Sequence, residues 1–295
     1  MSDHLPEHFK FDSKSAYRHW RSTKLSEYPQ SSEEITVDIK NPEQITLEEK
    51  EQLSHSIRRA NMAVFRLSED QPLKINTLQT FGHQFGLTRL DKNLFATESA
   101  ISELRVTEGE RRGEYIPYTN RALKWHTDGY YNSLQKSIHA FILYCQNDSA
   151  AGGENELLDP ELAYIYLRDK NSDYIKALMQ PDVLTIPETV ENGRRSRPEQ
   201  KSPVFSFDPK TDTLHMRYTE RQHNIKWNSD LITQKALEYL HDLLQGECDH
   251  ILRYRLQPNE GLICNNVLHN RSAFLDSTNN PRVMLRARYY DHITI

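Results

Sequence analysis

The 295 residues include 37 basic and 42 acidic side chains, for a net charge of −5, and 37 % of them are hydrophobic. This balance suits a soluble chain with a sizeable core and gives no basis for binding nucleic acid or an anionic membrane. No apolar run approaches the ~18 residues of a spanning helix, the first ten residues have no apolar signal core, and Cys145, Cys248 and Cys264 lack the spacing of a zinc site or disulfide framework, so a cytoplasmic protein with reduced thiols is expected.

Residues 1–40 read as a polar N-terminal arm, partly docked through Tyr17 and Trp20, ahead of one domain over 41–295 with helical inserts. Thr46-Leu47-Glu48-Glu49 has the form of a capping box, followed by an imperfect helical stripe through Leu53, Ile57 and Ala60. Met62–Leu67 reads as a buried strand and Leu78–Phe85 as a helix. Residues 91–122 show no period and are expected to form a long loop, a feature often tied to function. Ser137–Cys145 is apolar enough for a central strand; Gly152-Gly153 marks a turn into a short strand at Glu156–Leu158. Pro160 opens a helix running to about Asp169. Residues 182–210 read as a polar, mobile insert with Arg194, Arg195 and Arg197. A hairpin pairs Val204–Phe207 with Leu214–Tyr218. Leu231–Leu244 is amphipathic, with Leu231, Ala236, Leu237, Leu240, Leu243 and Leu244 on its apolar side. Three strands close the chain: Ile251–Leu256, Gly261–Cys264 and Arg282–Tyr290.

Two stretches carry chemistry. In Trp125-His126-Thr127-Asp128-Gly129, His126 and Asp128 leave an extended chain on one face and Thr127 on the other, and Gly129 permits a sharp turn. A neutral imidazole and a carboxylate side by side supply two ligands of a facial triad, the arrangement that suits non-heme Fe(II) with open positions. His269, in Val267-Leu268-His269-Asn270-Arg271, is the candidate third ligand. In the last strand, Arg282, Met284, Arg286 and Arg288 share one face, and Val283, Leu285, Ala287 and Tyr289 the other. Periodicity leaves two readings open: an outer row of arginines over a buried aliphatic face, or arginines in a cavity binding a carboxylate.

The ordered set His126-x-Asp128, His269 and then Arg282 thirteen positions later resembles the TauD/TfdA family of Fe(II)- and 2-oxoglutarate-dependent dioxygenases, which includes taurine dioxygenase and γ-butyrobetaine hydroxylase-like enzymes. Phe81-Gly82, Gly152-Gly153-Glu154-Asn155 and Arg282-Val283-Met284-Leu285-Arg286 resemble further motifs of that family, over a match from about Leu47 to the C-terminus. The resemblance implies a mostly β fold with flanking helices, a distorted double-stranded β-helix (jelly roll). It also implies that His126, Asp128 and His269 bind the metal and carry catalysis, and that Arg282, assisted by Asn155 and Arg286, binds 2-oxoglutarate. The implied cofactors are Fe(II), 2-oxoglutarate and O2. The implied reaction is hydroxylation of a small polar metabolite, acidic or betaine-like, with release of succinate and CO2. A carboxylate at position 128 argues for oxygenation over halogenation. Tyr130 and Tyr131 would suit a quaternary ammonium group, and Arg286 and Arg288 an acidic one. Asn270 departs from the glycine frequent after the distal histidine. A catalytically inactive binding module of the same fold and a zinc-dependent hydrolase are the alternatives. A small-molecule substrate is the expected partner, with neither nucleic acid nor membrane, and assembly into a homo-oligomer is compatible with this reading.

Overall fold

The structure is a computed structural model that describes residues 5–68, 73–92, 99–107, 113, 115–191, 194–208 and 211–295. Its helices, among the described residues, are α1 (Lys14–Glu27), α2 (Leu47–Ala60), α3 (Ile75–His83), α4 (Pro160–Lys170), α5 (Ser172–Leu178) and α6 (Leu231–Asp242). The chain divides into two compact units. One comprises Met1–Tyr28, Trp125–Ser137 and Leu158–Ile251; the other comprises Pro29–Lys124, Ile138–Leu157 and Leu252–Ile295.

The second unit is built on a six-stranded sheet of β1 (Thr36–Ile39), β2 (Met62–Leu67), β3 (Ser102–Leu104), β5 (Ala140–Asn147), β16 (Glu260–Cys264) and β19 (Val283–Tyr289), in the order β1-β2-β16-β5-β19-β3. Only β1 and β2 pair in parallel; the remaining neighbours are antiparallel. Register sorts the side chains by the period of two. Ile263, Ile142 and Ala287 align across three strands and join Phe65, Tyr144, Leu285 and Tyr289 in the core. Leu53 and Ile57 of α2 and Leu78 and Phe81 of α3 complete that core. Thr46 caps α2 with the reciprocal bonds of a capping box. The opposite face of the sheet carries Phe141, Met284, Arg286 and Arg288.

A four-stranded sheet of β4 (Leu123–His126), β7 (Asn155–Leu158), β15 (Leu252–Tyr254) and β17 (Leu268–Arg271) runs in the order β15-β7-β17-β4. Phe141 on β5 meets the ring of His269 on β17 at 4.9 Å, so this sheet lies over the second face of the larger one. A two-stranded ladder, β6 (Ala151–Gly152) with β18 (Phe274–Leu275), closes the Gly-Gly turn. The two main sheets form the distorted double-stranded β-helix, with helices on the outer face of the larger sheet.

The first unit holds α1, α4, α5 and α6 together with short ladders: β8 (Leu184–Ile186) with β11 (Gln200–Ser202) and β14 (Lys226–Trp227), β9 (Thr189–Glu191) with β10 (Arg194–Arg197), and β12 (Phe205–Asp208) with β13 (Thr213–Met216). Asp159 caps α4 through the Glu161 amide at 2.8 Å, and Lys24 of α1 reaches both Asp159 and Glu161 at 2.6 Å. Tyr17 donates to Asp169 at 2.8 Å, and Arg168 donates to the carbonyls of His8 and Lys10 at 3.0 and 2.8 Å.

Several expectations need correction. Within residues 1–40, where no element was expected, Lys14–Glu27 form a helix and Thr36–Ile39 the edge strand of the larger sheet. Part of the expected 91–122 loop is β3, which pairs with β19; residues 93–98, 108–112 and 114 lie outside the described residues. The 182–210 insert contains ladders instead of unpaired chain. Leu231, expected on the apolar side of α6, is 66 % exposed because it occupies the first turn, ahead of the buried Ala236 and Leu240.

Candidate metal centre and cosubstrate site

Alternation along Trp125–Asp128 divides the stretch into an anchored face and a presented face. Trp125 donates Nε1–H to the Leu244 carbonyl at 3.0 Å. Thr127 is fully buried; its amide donates to the Tyr218 carbonyl at 3.0 Å and its Oγ1 accepts from the Tyr218 amide at 3.1 Å. His126 and Asp128 project the other way and are buried, with 6 % and 5 % exposure. Gly129 takes φ +70°, a left-handed value that a side chain would resist, and its carbonyl accepts from the Asn132 amide at 2.8 Å. Tyr130 and Tyr131 follow, with rings 5.2 Å apart and nearly perpendicular.

His269 sits on β17 with Nδ1 2.9 Å from the Val267 carbonyl. A carbonyl only accepts, so in the neutral ring Nδ1 carries the proton and Nε2 is left with its lone pair for a metal. His126 and Asp128 belong to the first unit and His269 to the second, and all three residues are buried. Two imidazoles and one carboxylate are the donor set of the facial triad of non-heme Fe(II) enzymes. The residues present therefore fit the metal that the sequence suggested.

Asn270, the departure from glycine, makes no turn. Its Oδ1 accepts from the Glu156 amide at 3.1 Å and its Nδ2 donates to the Glu156 carboxylate at 2.7 Å, while Asn155 donates Nδ2–H to the Asn270 carbonyl at 2.8 Å. These bonds brace β7 and β17 beside His269.

Arg282 is 5 % exposed and Arg288 2 %, which rules out an outer row of arginines. They differ in their neighbours. Arg288 pairs with Asp91, whose other oxygen accepts from Tyr290 at 2.6 Å, so its charge is matched within the protein. The Arg282 guanidinium lies 5.0 Å from the Phe274 ring, and that of Arg271 lies 4.8 Å from the same ring. Burial lowers the pKa of Arg282, against the raising influence of Cys145, Asp148 and Asp276. Burial, and then the charge of Arg282, pull Arg271 down to about 9. Two buried cations that destabilise each other favour an incoming carboxylate. Gly153, at φ +80°, lets the chain pass Arg282; a Cβ there would stand 3.5 Å from Arg282 Nε and 2.9 Å from Ser149 Oγ. Asp148 is held by Arg255 at 2.8 Å. Arg286, half-buried, stands in register with Leu143 and Ser102.

Sequence reasoning missed Arg271 and Phe274 as companions of Arg282. Arg271 lies two residues beyond His269 on a strand, which was a usable signal; Phe274 carried none. Replacing Arg282 with Ala is expected to raise the 2-oxoglutarate requirement roughly tenfold to a hundredfold, from loss of a charge-assisted bond of about 1.5–3 kcal/mol. Steady-state succinate release against 2-oxoglutarate concentration checks this; an unchanged requirement would move the contact to Arg286 or Arg271.

A family model described as "Taurine catabolism dioxygenase TauD, TfdA family" matches residues 21–288, so the likeness begins within α1, well ahead of Leu47. A curated relative, uridine-5'-phosphate dioxygenase from Amycolatopsis sp, is 30 % identical over 174 residues. That match covers 56 % of this chain and 60 % of the relative, so the chain spans less than two thirds of the relative's length. Among solved structures, a putative alpha-ketoglutarate-dependent taurine dioxygenase from Burkholderia xenovorans superposes with a TM-score of 0.59 at 15 % identity, covering 88 % of each chain. PvcB from Pseudomonas aeruginosa superposes with a TM-score of 0.56 at 16 % identity, covering 88 % of this chain and 87 % of the other. An asparagine oxygenase in complex with Fe(II) and succinate superposes with a TM-score of 0.55 at 14 % identity, covering 98 % and 86 %. At such identities the superpositions speak to the jelly-roll fold alone, and the family model carries the assignment: the chain belongs to the taurine catabolism dioxygenase TauD, TfdA family.

Proposed function

We propose that the protein is an Fe(II)- and 2-oxoglutarate-dependent dioxygenase that hydroxylates a small acidic metabolite and releases succinate and CO2. The donor set of His126, Asp128 and His269, two imidazoles and one carboxylate that are each buried, carries this reading. In it, those three residues would hold Fe(II), and Arg282, assisted by Asn155 and Arg286, would receive 2-oxoglutarate. Bound iron supplies the activation of O2, with 2-oxoglutarate as the reductant. The protein's own part is positional. The Val267 carbonyl keeps the His269 proton on Nδ1, Thr127 and Trp125 anchor the opposite face of the motif, and the bonds among Asn155, Glu156 and Asn270 hold β17.

An acidic substrate is favoured by the partial likeness to a uridine-5'-phosphate dioxygenase. The test is succinate release in air from the Fe(II)-loaded chain, with a panel of organic phosphates, carboxylates, sulfonates and betaines. Release stimulated by an acidic member supports the reading. Turnover supported by Zn(II) without Fe(II), or no stimulation by any acid alongside stimulation by a betaine, would overturn its metal or its substrate half respectively.

A further inference from the structure

We infer that Arg217 is the residue that receives the anionic group of the organic substrate, a phosphate or a carboxylate; this rests on the dioxygenase reading above. All the contacts that carry it lie within the first unit. Residues 217–220 run antiparallel to the metal motif. The Glu220 amide donates to the Trp125 carbonyl at 2.9 Å, the Thr127 amide donates to the Tyr218 carbonyl at 3.0 Å, and His126 bridges Thr219. Continuing that register places Arg217 opposite Asp128.

The guanidinium is buried, with 3 % of the residue exposed. Its Nη2 donates to the Tyr130 carbonyl at 2.8 Å and to the Asn132 carbonyl, which uses both of its hydrogens and secures the turn after Asp128. Nε and Nη1 meet no acceptor among the described residues. Burial lowers the pKa of Arg217 to about 10. Arg288 and Arg168 are matched differently, by Asp91 and by three carbonyls of the N-terminal segment, whereas Arg271, like Arg217, donates Nη2–H to two main-chain carbonyls, those of Thr119 and Arg121. Holding a turn through carbonyls needs only donors and no net charge. A buried guanidinium with unused N–H groups and, among the described residues, no ion pair to a carboxylate is costly unless an anion completes it. Planar N–H donors suit the oxygens of phosphate and carboxylate alike. Placed on the backbone ladder of a candidate metal ligand, Arg217 would fix which end of the substrate points away from the metal.

The test titrates the full chain, with and without Mn(II) as an O2-inert stand-in, with inorganic phosphate, acetate and 2-oxoglutarate by calorimetry. Arg217→Gln keeps a donor for the turn and removes the charge. The expected result is at least a tenfold loss of affinity for phosphate or for acetate, with Mn(II) and 2-oxoglutarate affinities unchanged; which anion loses affinity names the substrate group. Arg217→Lys should recover part of that loss. Arg282→Ala should show the reverse pattern, losing 2-oxoglutarate and keeping the Arg217-dependent anion. Unchanged phosphate and acetate affinities in Arg217→Gln would overturn the assignment. So would a parallel fall in Mn(II) affinity, which would mean that Arg217 only holds the turn. Failure of the wild type to bind Mn(II) would instead count against the metal reading, while the metal-free titration would still report on Arg217.

Discussion

His126→Ala is expected to lose Fe(II) binding and, with it, all 2-oxoglutarate-dependent turnover. All three candidate donors are buried, and an alanine leaves one imidazole and one carboxylate, too few for a facial set. Losing a residue that merely orients a ligand costs roughly 10–100-fold in metal affinity or activity, and losing a ligand should cost more. Iron content after desalting and single-turnover succinate release measure the two effects separately. Full activity in a folded His126→Ala protein would remove this residue from the triad. The same substitution at His269 should behave alike. The partner that sets the His269 tautomer is the main-chain carbonyl of Val267, so no side-chain change at that position deletes it.

Lys24→Met should produce the largest loss of stability among single changes remote from the metal motif. The Lys24 ammonium is buried between Asp159 and Glu161, at 2.6 Å from each. Burial works against the charge, but the two carboxylates outweigh it and hold the pKa above its ordinary value. Methionine has similar length and leaves two carboxylates without their cation, one of them the cap of α4. Removing one partner of a buried ion pair costs about 3–5 kcal/mol, which corresponds to a fall in Tm on the order of 10 °C for a chain of this size. Thermal and urea unfolding followed by circular dichroism would report it. A change below about 1 kcal/mol would show that water reaches the triad and screens it.

The parts of this protein legible from sequence are those governed by short period and local chemistry. The alternation at His126 and Asp128 survives in the structure because Trp125 and Thr127 have their own anchors on the opposite face. The aliphatic face of β19 was legible for the same reason: Leu285, Ala287 and Tyr289 all enter the core. Helix α1 was missed because only Tyr17 and Lys24 of its side chains are buried, and its apolar attachment is the single ring of Trp20 against Phe9 and Tyr164, which leaves no apolar stripe. Strand β1 was missed because it is four residues at a sheet edge, beside a polar segment. The difference between Arg282 and Arg288 was not legible at all. It depends on Asp91, which meets Arg288 across a separation of 197 residues, and on Phe274, which brings Arg271 and Arg282 to one ring. Periodicity places side chains on a face; it does not supply their long-range counter-charges.

The most direct test of the central claim is anaerobic addition of Fe(II) and then 2-oxoglutarate to the purified chain, followed by visible absorption. The account predicts a weak charge-transfer band that needs both components and disappears in His126→Ala, with Arg282→Ala requiring more 2-oxoglutarate to reach it. A folded wild-type protein that binds Fe(II) but develops no band at saturating 2-oxoglutarate would contradict it, and would favour a ligand-binding or zinc-dependent role for the same three side chains.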